Sequence, residues 1–204
     1  MYTLEEGTVA VKIARQVVES FTKGNPYPDF DFPKGFDIET GVFVTINIHP
    51  DDRLRGCIGY PSPVYPLRKA LVKAAEGVTE DPRFPRLSAE ELDKITVEVS
   101  LLTIPKLIEV ESALDYPKNV KIGEDGLIVE KGIDRGLLLP QVPVEWKWNE
   151  EEFLSQTCMK AGLPPDAWFD RDTKIYKFNS EIFGEVDPRG KIVRKTPGGE
   201  DEGS

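Results

Sequence analysis

The sequence is poor in the residues that metals and disulfides need. It has two cysteines, Cys57 and Cys158, and one histidine, His49. The cysteines form no C-x-x-C pair, and a structural zinc site needs four Cys, His or carboxylate ligands, so none is expected. A disulfide framework is equally unexpected, which fits a reducing cytoplasm. No apolar run approaches the roughly 20 residues of a membrane span. The start, MYTLEEGTVAV, carries acids where a signal peptide would carry positive charge. Positive charge is also lacking overall: the net charge is −10 and the pI about 4.8. That argues against generalised binding to nucleic acid or an acidic membrane, which both need a basic surface. There is no internal repeat, and the one low-complexity stretch is the end, TPGGEDEGS (196–204), expected to be a disordered tail.

What is present is a cytoplasmic globular pattern. Apolar residues make up 39%, enough for a real core in 204 residues. Charged residues at 30% and 17 prolines lean towards a heat-adapted source. Val9, Ile13, Val17 and Phe21 recur at helical spacing over Thr8–Lys23, and Gly24 supplies the stop. GVFVTINI (41–48) alternates as a strand. YPLRKALVKAAEGV (65–78) reads as a second helix, and Ser88 with Glu91 forms a capping box. ITVEVSLLT (95–103) is the cleanest strand, with Ile95, Val97, Val99 and Leu101 on one face. Residues 126–130 and 136–139 read as a hairpin. Asn149 with Glu152 opens a further helix that Gly162 and two prolines end, and residues 174–186 form a last strand. Strands and helices mix without a βαβ rhythm. The expected class is therefore α+β with a largely antiparallel sheet, not a doubly wound fold.

The chemistry concentrates in LRGCIG, residues 54–59. If FVTINIH and LRGCIGY pair as a hairpin across PDD, Val44, Ile46 and Ile48 share a buried face with Leu54, Ile58 and Tyr60. Arg55, Cys57 and Gly59 then share the other face with Thr45, Asn47 and His49. In one register Cys57 stands opposite Asn47, with His49 on the diagonal at roughly 7 Å; in the next, His49 is out of reach. A nearby Arg55 guanidinium would favour a thiolate, and Gly56 and Gly59 strip side chains where a ligand or another backbone approaches. A cysteine in a strand is also simply a small hydrophobe, and both readings stay open. EDPRFP (80–85) holds Asp81, Arg83 and Phe84 in a rigid loop. There Arg83 either pairs with Asp81 or joins Arg55 in an anion-binding surface. Seven bases lie between Arg53 and Arg86, as a phosphate-binding patch or a solvated helix face. Glu98 and Glu145 would do acid–base work or hold a metal only if they met, and otherwise read as solvated or salt-bridged acids. Trp146, Trp148 and Trp168 read as amphipathic core-edge residues, with a partner surface as the alternative.

These residues carry a resemblance. LRGCIG, GVFVTI, EDPRFPRL, EELDKITVEVSLLT, GEDGLIVEKG, LLPQVPVEWKW and FLSQTCMKAGL stand in one order across about residues 5–185. The chain resembles the AMMECR1 family, in its stand-alone archaeal form. The resemblance implies two unequal α/β subdomains, the larger holding both termini and an antiparallel sheet, with the hexapeptide near a cleft between them. It implies MEMO-like and radical-SAM pathway partners and supplies no catalytic residues, and nothing names a cofactor. The leading expectation is a cleft floored by Arg55, Gly56, Cys57 and Gly59 beside Asn47, walled by Arg83 and Glu145. It would take a small anionic molecule or modified group, with catalysis by a Cys57 thiolate as the sharper version. The rival is an adaptor in transcription, replication, repair or translation without catalytic activity.

Overall fold

The computed structural model describes residues 2–195, so the expected tail at 196–204 lies outside the described residues. The chain divides into two compact units. The first takes residues up to Leu102 and returns from Glu181; the second is Thr103–Ser180.

In the first unit, α1 (Leu4–Lys23) begins one turn earlier than its apolar spacing suggests. Thr3 and Glu6 make a reciprocal capping box there, and Gly24 ends the helix. The fully buried stripe is Ala10, Val11, Ala14, Val17 and Val18. The two alanines let the helix lie close to its neighbours. Strand β1 (Val42–Ile48) pairs antiparallel with β2 (Arg53–Tyr60) on one side and β3 (Ile95–Leu102) on the other. Helix α2 (Leu67–Gly77) packs with α1 against the sheet. The expected inward residues of β3, Ile95, Val97, Val99 and Leu101, are all buried. The capping box of Ser88 and Glu91 is present and opens a 3-10 turn, Ala89–Lys94.

The second unit holds the short β4 (Lys106–Leu107) and the expected hairpin of β5 (Asp125–Lys131) and β6 (Asp134–Leu138). It also contains α3 (Gln141–Trp146), an element that Pro140 before it and Pro143 within it conceal from periodicity, and α4 (Glu150–Lys160), capped by Asn149 and Glu152 as expected. Its core is Leu127, Val129, Phe153, Leu154, Cys158, Trp168 and Ile175. Strand β7 (Lys174–Glu185) pairs with β4 and β5 through its first half, and its last residues pair with β8 (Ile192–Lys195) in the first unit. Beyond the expected last strand, then, the chain turns once more. The class is α+β, with antiparallel pairing throughout the described ladders. Among the described residues no helix is long and apolar enough to cross a membrane.

One buried ion pair joins the sequence-distant parts of the first unit. Arg15 of α1 donates from Nε to Glu185 Oε1 at 2.9 Å and from Nη2 to Glu185 Oε2. Its remaining N–H groups reach the carbonyls of Leu92 (3.2 Å) and Ile95 (2.7 Å), and Glu185 Oε2 also accepts the N–H of Val97 at 3.0 Å. Removing one member of such a pair strands a charge in the core. Glu185→Gln is expected to cost about 3–5 kcal/mol in denaturant unfolding. The double change Arg15→Met/Glu185→Gln should recover part of that loss, because the stranded charge is gone. Equal stability of wild type and Glu185→Gln would remove the pair from the account.

Candidate functional site

On β1 the expected Val44 and Ile46 are buried, but Ile48, expected with them, is only half-buried at the end of the strand, and LRGCIG breaks the alternation on β2. Ile46 pairs with Gly56 and Asn47 with Leu54, so Arg55 is the extra residue of a β-bulge. Ile58 and Tyr60 pack against the core as expected. Leu54 does not: past the bulge it faces with Asn47 and is 39% exposed. Cys57 stands opposite Thr45, not Asn47. His49, in the turn, is four residues further along β1, about 13 Å at strand spacing. The Cys–His arrangement is thereby excluded.

Both glycines answer to close packing. A Cβ on Gly56 would lie 2.8 Å from the Val78 carbonyl oxygen, and one on Gly59 would lie 2.4 Å from the Phe43 ring. A neighbouring backbone and an aromatic ring, respectively, occupy the space their missing side chains leave.

Arg55 is buried and does not act on the thiol. Its Nε and Nη2 grip the Glu91 carboxylate at 2.7 and 3.1 Å, and Nη2 also donates to the Pro85 carbonyl at 2.9 Å. That pairing holds the Glu91 carboxyl below its usual range. The guanidinium that touches the Cys57 segment is Arg83, from the EDPRFP loop. Strand β2 is an edge strand, and an edge leaves N–H and C=O groups unpaired. Here side chains take the place of the missing strand. Asp81 Oδ2 accepts the Cys57 N–H at 2.9 Å, while Arg83 Nη2 donates to the Cys57 carbonyl at 3.1 Å. The two side chains also pair with each other at 2.7 Å. Arg83, with the backbone N–H of Cys57, holds the buried Asp81 carboxyl far below the usual carboxylate range. Of the two roles expected for Arg83, the pairing with Asp81 is present, and the loop docks on the hairpin through the Cys57 peptide groups.

The thiol itself is half-buried. The Thr45 hydroxyl donates to Sγ at 3.2 Å. Thr45 is flanked on its other side by Glu98 of β3, and Glu98 pairs with Lys195 of β8 at 3.3 Å. Cys57, Thr45, Glu98 and Lys195 thus form a polar row across the sheet face opposite the core. Lys195 had no sequence signal, because β8 lies beyond the last clear strand pattern. Burial pushes the Cys57 thiol up, and the Thr45 hydrogen bond and the Arg83 charge only partly offset it. Burial likewise raises Glu98, against the pull of Lys195. The arginine expected to favour a thiolate, Arg55, is turned to Glu91 instead, and around Cys57 desolvation outweighs the charge of Arg83.

On the Arg55 side lies a groove of about 440 Å³ lined by Ile48, Arg53, Leu54, Arg55, Phe84, Pro85 and Glu91. Arg55 and Arg83 both lie over the Phe84 ring, at 5.9 and 5.6 Å from its centroid. Most of the basic run is accounted for locally. Arg68 pairs with Asp37 and Arg86 with Glu80, and Lys69 and Lys73 lie over Tyr65. Among the described residues Arg53 makes no ion pair, and it is exposed. Asn47 is half-buried between Leu54 and Thr96. Glu145 is exposed on α3, in the other unit, and Glu98 has Lys195 as its partner instead. The described residues hold no group of three or more Cys, His, Asp and Glu that could bind a metal.

The AMMECR1 family model matches residues 11–183. A protein of Methanocaldococcus jannaschii is 51% identical over 196 residues, covering 96% of this chain and 98% of its own length. One of Pyrococcus abyssi is 54% identical over 198 residues, covering 94% and 96%. The crystal structure of an uncharacterised Pyrococcus horikoshii protein, 54% identical, matches 94% of this chain and 97% of that one with a TM-score of 0.79.

Two measurements check this geometry. Asp81→Ala leaves the Cys57 and Arg83 N–H groups without their acceptor and is expected to cost about 2–4 kcal/mol. Because the folded-state pKa of Asp81 is depressed, its contribution is complete above the ordinary carboxylate pKa and drains away as the pH falls below about 4. Wild type should lose stability faster than Asp81→Ala across that acid range. Native alkylation should label Cys57 slowly at pH 7 and faster with rising pH. Cys158, fully buried and pushed up to about 11, should stay unlabelled until unfolding. Fast labelling of Cys57 at neutral pH would contradict the raised pKa.

Proposed function

The chain belongs to the AMMECR1 family, and from that premise we propose that it binds a small amphiphilic anion, through a carboxylate or phosphate, in the groove lined by the first half of its LRGCIG motif. The observation that carries the reading is the lining. Ile48, Leu54, Phe84 and Pro85 make an apolar floor, and Arg53 and Arg55 stand beside it.

Charge decides what kind of anion suits such a groove. Glu91 neutralises Arg55, so Arg53 supplies the net positive charge. One exposed arginine contributes about 0.2–1 kcal/mol. A millimolar ligand already needs about 4 kcal/mol, so burial of apolar surface must supply most of the affinity, at about 25 cal/mol per Å². A bare inorganic anion is thus a poor fit, and an anion with an apolar body is a good one. The one histidine, His49, stands out of reach of Cys57, and Arg55 is engaged with Glu91, which favours binding over nucleophilic catalysis there. An adaptor function would leave the groove on the motif without a purpose. Two free cysteines suit a cytosolic setting for this activity.

Titration by NMR or calorimetry with 4-phenylbutyrate and its neutral amide tests the reading. The carboxylate should bind about fivefold more tightly than the amide, the equivalent of about 1 kcal/mol. Arg53→Gln should erase that difference, and Leu54→Ala should weaken both ligands. Equal binding of acid and amide to the wild type, or indifference to both substitutions, would discard the groove.

A further inference from the structure

A second groove, of about 450 Å³, lies wholly within the second unit. Its lining is Trp148, Glu151, Glu152, Ser155, Gln156, Pro165, Asp166, Trp168 and Phe169. It includes three carboxylates, three aromatic rings and no lysine or arginine. We propose that this groove docks a lysine- or arginine-bearing segment of a partner protein, with aliphatic stems against the rings and cationic heads at the acids.

The aromatic walls carry the argument further than the acids do. Glu151 and Glu152 occupy the first turn of α4, where the helix dipole alone favours acids. Glu152 is also engaged in capping Asn149. That explanation does not extend to the rings. Trp168 is buried, with its indole N–H donating to Ser155 Oγ at 3.1 Å, and so presents a fixed platform. Phe169 stacks on it at 3.8 Å between centroids yet remains 48% exposed. Trp148 is half-buried, and Trp146, 67% exposed, stacks against it at 6.0 Å. Exposed aromatic surface beside carboxylates suits a cation with an apolar stem. The ring faces attract the positive head, and the acids supply the charge complement. Asp166, on the loop after α4, adds a carboxylate from outside the helix, so the negative lining is not a property of the helix end alone.

Fluorescence titration of the full chain with N-acetyl-tetralysine amide tests the proposal through the groove tryptophans. The comparison ligand is the same peptide with acetylated side chains. Binding is expected only for the cationic peptide and should weaken with salt. Glu151→Gln/Asp166→Asn should reduce affinity about fivefold, two exposed pairs being lost. Phe169→Ser should also reduce affinity, at unchanged fold by circular dichroism. Asp29→Asn/Asp31→Asn, a charge-matched change at exposed positions of the first unit, should leave affinity unchanged. The proposal fails if both double variants weaken binding equally, which would mark attraction to net charge alone. It fails if the acetylated peptide binds as well. It also fails if sedimentation shows a dimer that Phe169→Ser dissociates, since the groove would then serve a second copy of the chain.

Discussion

The Arg15–Glu185 pair is the constraint on which the first unit depends. A guanidinium in a protein core must find acceptors for its N–H groups, and Arg15 finds them on three separate segments. Its carboxylate partner stands near the end of β7, and its carbonyl partners are the end of the Ala89–Lys94 turn and the start of β3. That turn is also where Arg55 is held, through Glu91. Two arginines, from α1 and from LRGCIG, thus grip one short 3-10 segment from its backbone and its side chain. The groove wall formed by Glu91, Arg55 and Pro85 inherits its rigidity from this double hold. A hydrophobic pair would pack the same space, but it would not specify where the turn must stop.

The same logic of substitution operates at the edge of the sheet. Among the described residues no further strand pairs with β2 on its outer side, yet its Cys57 peptide groups are not left to water. Asp81 and Arg83 present one acceptor and one donor at the spacing a neighbouring strand would offer, and neutralise each other while doing so. This explains why the motif needs glycines. With Gly56 against the Val78 carbonyl, the segment that carries Asp81 comes close enough to reach the strand. The glycines, the acid and the arginine are parts of one packing solution. Cys57 lies inside that solution, half-buried, which is why burial pushes its thiol up.

How much of this was legible in the sequence follows from what each signal measures. Caps are local, and the boxes at Ser88 and Asn149 were readable because three residues suffice to define them. The box at Thr3 is just as local, but it precedes the first apolar repeat, so periodicity alone starts the helix a turn late. Alternation was readable on β1 and β3, where every second residue is apolar. It failed on β2, because a bulge adds one residue without changing composition. LRGCIGY alternates perfectly well on paper, so Leu54 was assigned inward and Arg55 beside the thiol. Only the pairing of Asn47 with Leu54 reveals the slip. Lys195 was invisible for a different reason: its partner Glu98 is distant in sequence, and β8 is too short to announce itself. Arg83 and Asp81 were flagged from their prolines, since a rigid loop limits where side chains can point.

The two grooves have opposite chemistry, and the overall charge makes that contrast meaningful. On a chain of net charge −10, an acidic surface is the default and a positive one is the exception. The Arg53 groove works against the background field, so an anion proposed to bind there would have to gain from the apolar floor what long-range attraction does not give. The Trp148–Phe169 groove works with that field. Any cation is drawn to the chain in general, and selectivity must come from the rings. In one case the aromatic and aliphatic floor supplies affinity; in the other it supplies discrimination. A positive charge added near the first groove should therefore sharpen binding, whereas acid added near the second should blur it.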